Sequence, residues 1–386
     1  MNAAYKRQVM IAAYFKAQGD LTQKAIGEKA GLGTQAQVSK LLHDARTEGI
    51  LREVFVFPPD ISERERRIVE QSYFPLHDEL ERALIDRSRD LASMRRGGTS
   101  PFKRLHVVPS LEYDASKPQE QADAFRVFGE AAAEIVAGYI NNTETCSVAW
   151  GRTLDATLKF IPESSRVSPK KVFMPIAGEP TNHEPNGVSP SDAARILADR
   201  WPPSESYSLR GVQARIPKSV ADRDTQGIAR DLAFYSKSYQ MIFGRPGATE
   251  RPLIAKVGMI LTGIGDVTTS ENDPWYAETA DAEDQSVLQL TQGNIGGIWI
   301  PRLDLSEDAA EQVNQMNKRW LGAQLDHFVH CSRGSDLERH PGVVVLAVEP
   351  GKAEIVLEAL DLINVLIVSH SLAAELAWRT LGKRVD

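Results

Sequence analysis

Apolar residues along this chain keep two different rhythms. Between residues 21 and 46, Ile26, Ala30 and Leu32 join Val38, Leu41 and Leu42 at helical spacing, which predicts two short helices sharing one apolar face across a turn at Gly31-Leu-Gly33. An amphipathic stretch over 5–17 precedes them, with Ile11, Ala12 and Phe15 placed to complete a three-helix core. An apolar segment over 50–57 follows as a wing strand would. The polar positions of the second helix, Thr34, Gln35, Gln37, Ser39, Lys40 and His43, then remain on its outer surface. That set suits a DNA groove, because Gln pairs with adenine edges and Lys reaches guanine or phosphate.

From residue 105 the rhythm changes. Short apolar runs over 105–108, 147–150, 171–174, 254–261, 297–300, 343–348 and 363–368 predict strands. Helical patterns over 119–140, 154–160, 190–201, 222–235, 307–328, 352–360 and 370–381 lie between or after them. Runs that are apolar throughout imply burial on both faces, so the predicted body is α/β, a mainly parallel sheet sandwiched by helices. Between head and body, 61–70 and 77–94 are dense in Glu, Arg, Asp and Leu at helical spacing, are broken at Tyr73-Phe-Pro75, and read as connecting helices. The glycines and proline of Arg95-Arg-Gly-Gly-Thr-Ser-Pro101 mark a boundary.

Charge sharpens this division. Eight basic and four acidic side chains within 1–52 give +4, whereas the whole chain carries −7, leaving −11 for the other 334 residues. A basic module on an acidic body is expected if only the first meets a phosphate backbone. The 386 residues, 42% hydrophobic and 25% charged, suit two to three ordinary globular domains and exclude a disordered chain. Only Cys146 and Cys331 occur, which argues against a disulfide scaffold and for a reducing cytoplasm. Lys6 and Arg7 before an apolar run imitate a signal peptide, but Lys16 and Gln18 interrupt it early, and the segment is expected as the first helix. No run approaches the roughly 18 apolar residues of a membrane span, so no membrane partner is expected.

Three places in the body carry candidate chemistry. At Ser147-Val-Ala-Trp-Gly-Arg-Thr-Leu154 a strand turns at Gly151 into a helix. Free amides there, the Thr153 hydroxyl and the Arg152 guanidinium suit a phosphate or carboxylate, although any strand-to-helix turn favours Gly and Thr. Thr262-Gly-Ile-Gly-Asp266 is expected as a loop ending the strand from Ile254. Gly263 and Gly265 would let a ligand approach the backbone and Asp266 would bond hydroxyls, while the missing third glycine disfavours a dinucleotide. Glu349-Pro-Gly-Lys352 sets a lysine at a helix start, which suits either an anionic partner or simple solvent exposure. His327, His330 and Cys331 share a helix side without a carboxylate, so packing rather than metal is expected. An acidic stretch over 271–284 holds Trp275 and Tyr276, which either cover a sugar-sized ligand or are merely solvated. No Gly-x-Ser-x-Gly elbow and no cysteine at a reactive turn is found, and no catalytic residue, cofactor or metal is expected.

Taken in order and spacing, Leu21-Thr-Gln-Lys-Ala-Ile26 with Val38-Ser-Lys-Leu-Leu42, Phe128-Gly-Glu-Ala-Ala-Ala133, Val148-Ala-Trp-Gly-Arg-Thr-Leu154, Met174-Pro-Ile-Ala-Gly178, Thr262-Gly-Ile-Gly265, Gly293-Asn-Ile-Gly-Gly297, and Lys352 with Ile363-Asn-Val-Leu-Ile-Val368 resemble one family over nearly the whole chain. It is the SorC-type (DeoR-like) sugar-binding transcriptional regulators. The resemblance implies a helix-turn-helix DNA-binding domain over 1–57, a helical linker over 58–101, and an effector-binding and oligomerisation domain over 102–386 with the sugar-phosphate isomerase fold and no enzymatic activity. It implies double-stranded operator DNA, a small sugar-like effector, phosphorylated or not, and a homodimer or homotetramer as partners. Thr22, Gln23, Thr34, Gln35, Gln37, Ser39, Lys40, His43 and Arg46 would then face DNA. Gly151, Arg152 and Thr153 would hold an anionic end of the effector, Gly178, Gly263, Gly265 and Asp266 its remainder, and Lys352 would complete charge neutralisation.

The chain departs from the family pattern at Gln35-Ala36, where Arg and Pro are usual, at Val348-Glu349, where a glycine pair is usual, and at Ser369-His370, where Thr-Asp is usual. The rival expectation is a sugar-phosphate isomerase or transferase with Asp266 or Glu349 as general base, an account that gives the basic head no purpose.

Overall fold

Capping side chains set the limits of the first helices. In this computed structural model, which describes residues 3–17, 21–47, 74–96, 101–114, 116–164, 169–179, 188–224, 226–245, 247, 249–267 and 282–385, the chain divides into two units, 1–66 and 67–386. The first unit holds α1 (Ala3–Ala17), α2 (Gln23–Ala30) and α3 (Gln35–Thr47). Thr22 caps α2 by accepting from the Ala25 amide at 3.3 Å, and Gly31 closes it at φ 61°, a conformation that favours glycine. At the start of α3 the caps are reciprocal: Gln37 Oε1 accepts from the Thr34 amide at 2.7 Å, and Thr34 Oγ1 accepts from the Gln37 amide at 3.4 Å. Ile26, Val38, Leu41 and Leu42 are buried with Val9, Ala12, Ala13 and Ala45, while Phe15 and Leu32 cover the edge. The apolar face expected from the spacing is therefore the core of this unit. The expected wing (50–57), the first connecting helix (61–70), the glycines of the boundary segment (97–100) and positions 275 and 276 lie outside the described residues.

The second unit is built on strands β1 (Arg104–Val108), β2 (Thr145–Val148), β3 (Val172–Pro175), β4 (Glu205–Ser206), β5 (Met259–Asp266), β6 (Thr291–Ile295), β7 (Ile298–Pro301), β8 (Gly342–Ala347) and β9 (Val365–Ser369). The main path runs β1-β9-β8-β5-β2-β3-β4, parallel throughout. β8 and β9 are buried at every position. Alternate residues enter opposite cores: Val343, Val345, Leu366 and Val368 pack with Leu372, Leu376 and Ile355, while Val344, Leu346, Val365 and Ile367 pack with Phe128, Val136 and Leu197. Among the described residues, no helix is long and apolar enough to cross a membrane.

Polar groups fix how the layers dock. Lys171 donates to the Asn141 and Thr143 carbonyls at 3.0 and 2.6 Å, placing a cation on the C-terminal end of helix Pro118–Asn142. Asn364, fully buried, accepts from the Val343 amide at 2.8 Å and donates to the Pro101 and Ser332 carbonyls at 2.8 and 2.9 Å. Helix His77–Arg96, expected as a connector, is seated in this unit. Leu80, Leu84 and Leu91 enter its core, Ser88 bonds the Leu360 carbonyl at 2.9 Å, and Arg95 meets Glu358 at 3.2 Å and Asp361 at 3.3 Å.

Three expectations are corrected. The strand expected over 254–261 begins at Met259, after a 3-10 turn Leu253–Lys256, and runs through Asp266, so Thr262-Gly-Ile-Gly-Asp266 is strand rather than loop. Its outer half pairs antiparallel with β6, where a Cβ on Gly293 would lie 2.0 Å from the Gly265 carbonyl. Gly293 there serves strand approach. The helix expected over 307–328 breaks into Glu307–Lys318 and Leu325–Arg333, because Gly322 packs where a Cβ would lie 2.6 Å from the Ile176 carbonyl and Gln324 begins a new cap. The helix expected over 222–235 is shorter: it starts only at Ile228, after Gly227 at φ 74°, and ends at Ala233, while a separate turn Lys218–Ala221 precedes it.

Asn364→Ala takes away the side-chain partner of the buried Val343 amide and of the Pro101 carbonyl and removes one donor from the Ser332 carbonyl. A loss of about 3 kcal/mol is expected, read as a lower urea midpoint at unchanged slope. His106, bonded to the Tyr139 hydroxyl at 2.9 Å, has its pKa lowered to about 4 by burial, with Arg104 and His77 adding repulsion. The unfolded chain therefore binds more protons between pH 6.5 and about 4, so stability should fall as pH drops through that window, and His106→Gln should flatten the fall in unfolding titrations.

Candidate functional site

The chain leaves β2 toward β3 on one side and β5 toward β8 on the other, so connections diverge between two neighbouring parallel strands. Open α/β sheets bind ligands at the carboxyl ends beside such a point. On the β5 side of this point a cavity of about 840 Å³ opens beyond the carboxyl ends of β1, β5, β8 and β9, lined by Tyr113, Asp266, Gln292, Glu349, Glu354 and Ser371, among others.

Glu349, which follows β8, organises the cation pair beside this cavity. Its Oε1 lies 3.1 Å from Arg152 Nη2 and its Oε2 lies 2.6 Å from Lys352 Nζ. Burial raises the pKa of the Glu349 carboxyl, but Lys352, Arg152 and a hydrogen bond from Tyr113 outweigh it, and the group ends below the ordinary carboxylate range. Tyr113 moves the other way, pushed up to about 12 by burial and by Glu349. Lys352 is only 7% exposed, whereas Arg152 is half open to solvent and stacks its guanidinium 5.3 Å from the Phe125 ring centre. Glu354, on helix Ala353–Glu358, has its Oε1 3.5 Å from Gln292 Nε2.

The residues expected from sequence divide accordingly. Gly151, at φ 123°, turns β2 into helix Arg152–Leu158, and Thr153 is buried within that helix. Arg152 and Lys352 converge on Glu349, and a Cβ on Gly351 would lie 3.9 Å from Asp266 Oδ2, so Asp266 borders the same loop. Gly263 sits in β5 opposite Leu346, and Gly265 opposite Asn294. Gly178 packs against backbone: a Cβ there would lie 2.2 Å from the Val212 carbonyl. Its smallness serves chain packing, as does that of Gly293. Sequence reasoning missed Glu112, Tyr113, Gln292, Glu354 and Ser371 as lining residues. It also missed that Glu349 would meet both cations; its place three residues before Lys352 was the available signal.

The cluster of His327, His330 and Cys331 is occupied by packing. His327 Nδ1 accepts from the Gln324 amide at 2.9 Å, and burial pushes the Cys331 thiol up to about 12. Among the described residues no group of His, Cys, Asp or Glu is arranged to hold a metal ion.

In the first unit, Thr34, Gln35, Ser39, Lys40 and His43 are exposed on α3, with Gln37 exposed but held to Thr34. Thr22 is exposed as the cap of α2, Gln23 is half-buried, and the Arg46 side chain lies outside the described residues. Lys40 Nζ rests 6.0 Å from the Tyr5 ring centre, and the Tyr5 hydroxyl donates to Asp44 at 2.6 Å.

No family model and no curated protein matches this sequence. Solved structures do. The full-length sorbitol operon regulator SorC from Klebsiella pneumoniae aligns at TM-score 0.53 and 18% identity, covering 96% of this chain and 98% of that one. The chain has the SorC fold. A transcriptional regulator from Streptococcus pneumoniae aligns at TM-score 0.53 and 15% identity over 80% of this chain and 98% of its own. The sugar-binding domain described for a transcriptional repressor of Vibrio fischeri aligns at 0.51 and 18% over 79% and 99%. The SorC match extends through both units of the chain, so the expected α/β body with its helical head is the architecture found.

Thr34→Ala removes one half of the reciprocal cap on α3. It should cost about 1 kcal/mol locally, read as faster amide exchange in the first turn of α3.

Proposed function

We propose that the chain is a transcription regulator that binds operator DNA through α3 and responds to a small polyhydroxylated effector held at the cavity. The observation that carries this is the exposed row Gln35, Ser39, Lys40 and His43 on a three-helix unit whose residues 1–52 carry +4, joined to an acidic body. The SorC fold supports it, since that protein is a sorbitol operon regulator and its alignment spans both units. Residues 1–57 form the DNA-binding domain, 58–101 connect, and 102–386 bind effector and oligomerise as a dimer or tetramer in the cytoplasm. Gln35 and Lys40 make the base contacts. Gln37 gives its carbonyl to the Thr34 amide, so two-point adenine recognition would open the cap, and its part is a single amide donor. Thr22, Gln23 and Arg46 serve the phosphate backbone. In the body, Asp266 and its acidic neighbours accept effector hydroxyls, and no catalytic step is assigned.

The test is a mobility-shift titration of the full-length protein on its own upstream DNA, with and without a panel of sugars, polyols and their phosphates. Sequence-specific binding altered by one of them is expected. Gln35→Ala and Lys40→Ala should each weaken specific binding by about 1–3 kcal/mol. Sugar turnover with no DNA shift would overturn the proposal in favour of an enzyme.

A further inference from the structure

The cavity presents four carboxylates, from Glu112, Asp266, Glu349 and Glu354, and among the described residues neither lysine nor arginine lines it. The two nearest cations are already matched. Arg152 and Lys352 both turn to Glu349, one to each oxygen, at 3.1 and 2.6 Å. Glu349 is 17% exposed and follows directly from β8, so its carboxylate is fixed by the backbone of the central sheet. A phosphate entering here would find both cations neutralised and like charges around it. Hydroxyl groups fit the same lining: the carboxylates accept their protons, and the Gln292 amide and Ser371 hydroxyl supply donors and acceptors.

We infer that Glu349 acts as a built-in anion that closes the cavity to phosphate, so that the effector is a sugar or polyol without a phosphate or carboxylate group. This rests on the cavity being the effector site and names the ligand class it takes. It also changes the roles of Arg152 and Lys352, which position Glu349 instead of gripping the ligand. With no acid group to grip, recognition falls to hydroxyl geometry.

The experiment uses the full-length protein, with inorganic phosphate as the first probe and matched pairs as the second, namely glucitol with glucitol 6-phosphate and ribose with ribose 5-phosphate. Binding is read by calorimetric titration and by melting temperature. Wild type is expected to show no saturable phosphate binding and no extra stabilisation by the phosphorylated member of either pair. Glu349→Gln, which keeps the shape and removes the charge, frees both cations and should bind inorganic phosphate at least about tenfold more tightly than wild type. Adding Arg152→Ala to Glu349→Gln should abolish that gain.

Equal phosphate affinity in wild type and Glu349→Gln would overturn the inference, and so would a wild type stabilised more by a sugar phosphate than by its parent. The wild-type pairs decide the matter even if the variant folds poorly. None of these outcomes depends on DNA binding, so a failure here leaves the mobility-shift result standing, and the reverse also holds.

Discussion

A strand buried on both faces has no solvent side on which to place chemistry. β8 and β9 are covered throughout, and each sends alternate residues into two separate cores, so helices must occupy both faces of the sheet. What remains for a ligand is the ends of the strands. The cavity lies beyond the carboxyl ends of β1, β5, β8 and β9, on the β5 side of the point where connections diverge between β2 and β5. Its chemistry follows from residues at the strand ends, Asp266 at the tip of β5 and Glu349 after β8, with Arg152 reaching Glu349 from the turn after β2.

At those strand ends the decisive quantity is charge balance. A lysine as buried as Lys352 needs a partner, because removing an unpaired ammonium from water is costly. The chain supplies that partner internally through Glu349, three residues earlier, and shares it with Arg152. The head is arranged oppositely. Lys40 stands exposed beside the Tyr5 ring, on a module with a positive balance. It is open to solvent, whereas Arg152 and Lys352 are matched before any ligand arrives.

Much of this architecture was legible in advance, for a physical reason. Continuous β-branched runs such as Val343-Val-Val-Leu346 can be little else than parallel strands, and the spacing of Ile26, Val38, Leu41 and Leu42 is that of a helical core. The failures share a cause as well. Glycine signals freedom of the backbone without saying what uses it: Gly293 lets two strands approach, and Gly178 fits beneath the Val212 carbonyl. Likewise Gln37 looked like a base reader and is held by Thr34, since T-x-x-Q before an apolar run is also a capping pattern. Arg152, Asp266 and Lys352 were legible as a group, because each follows or ends an apolar run. Tyr113, Gln292 and Ser371 were not, since they lie on segments distant in sequence that only the folded topology brings together.

Helix Ala353–Glu358 joins the cavity to the rest of its unit. Glu354 lines the cavity at one end, and Glu358, four residues later, meets Arg95 at 3.2 Å and Arg87 at 3.6 Å on helix His77–Arg96. Burial raises the Glu358 carboxyl above its ordinary value even though those arginines oppose it. A ligand that engages Glu354 therefore acts on a short element whose far end meets helix His77–Arg96. Binding alone transmits nothing along it: the effector must favour one arrangement of that contact over another, and its leverage is limited to the difference between the two affinities. A hydroxyl-rich ligand has the means to make that difference, since its hydrogen bonds to carboxylates depend steeply on distance and angle.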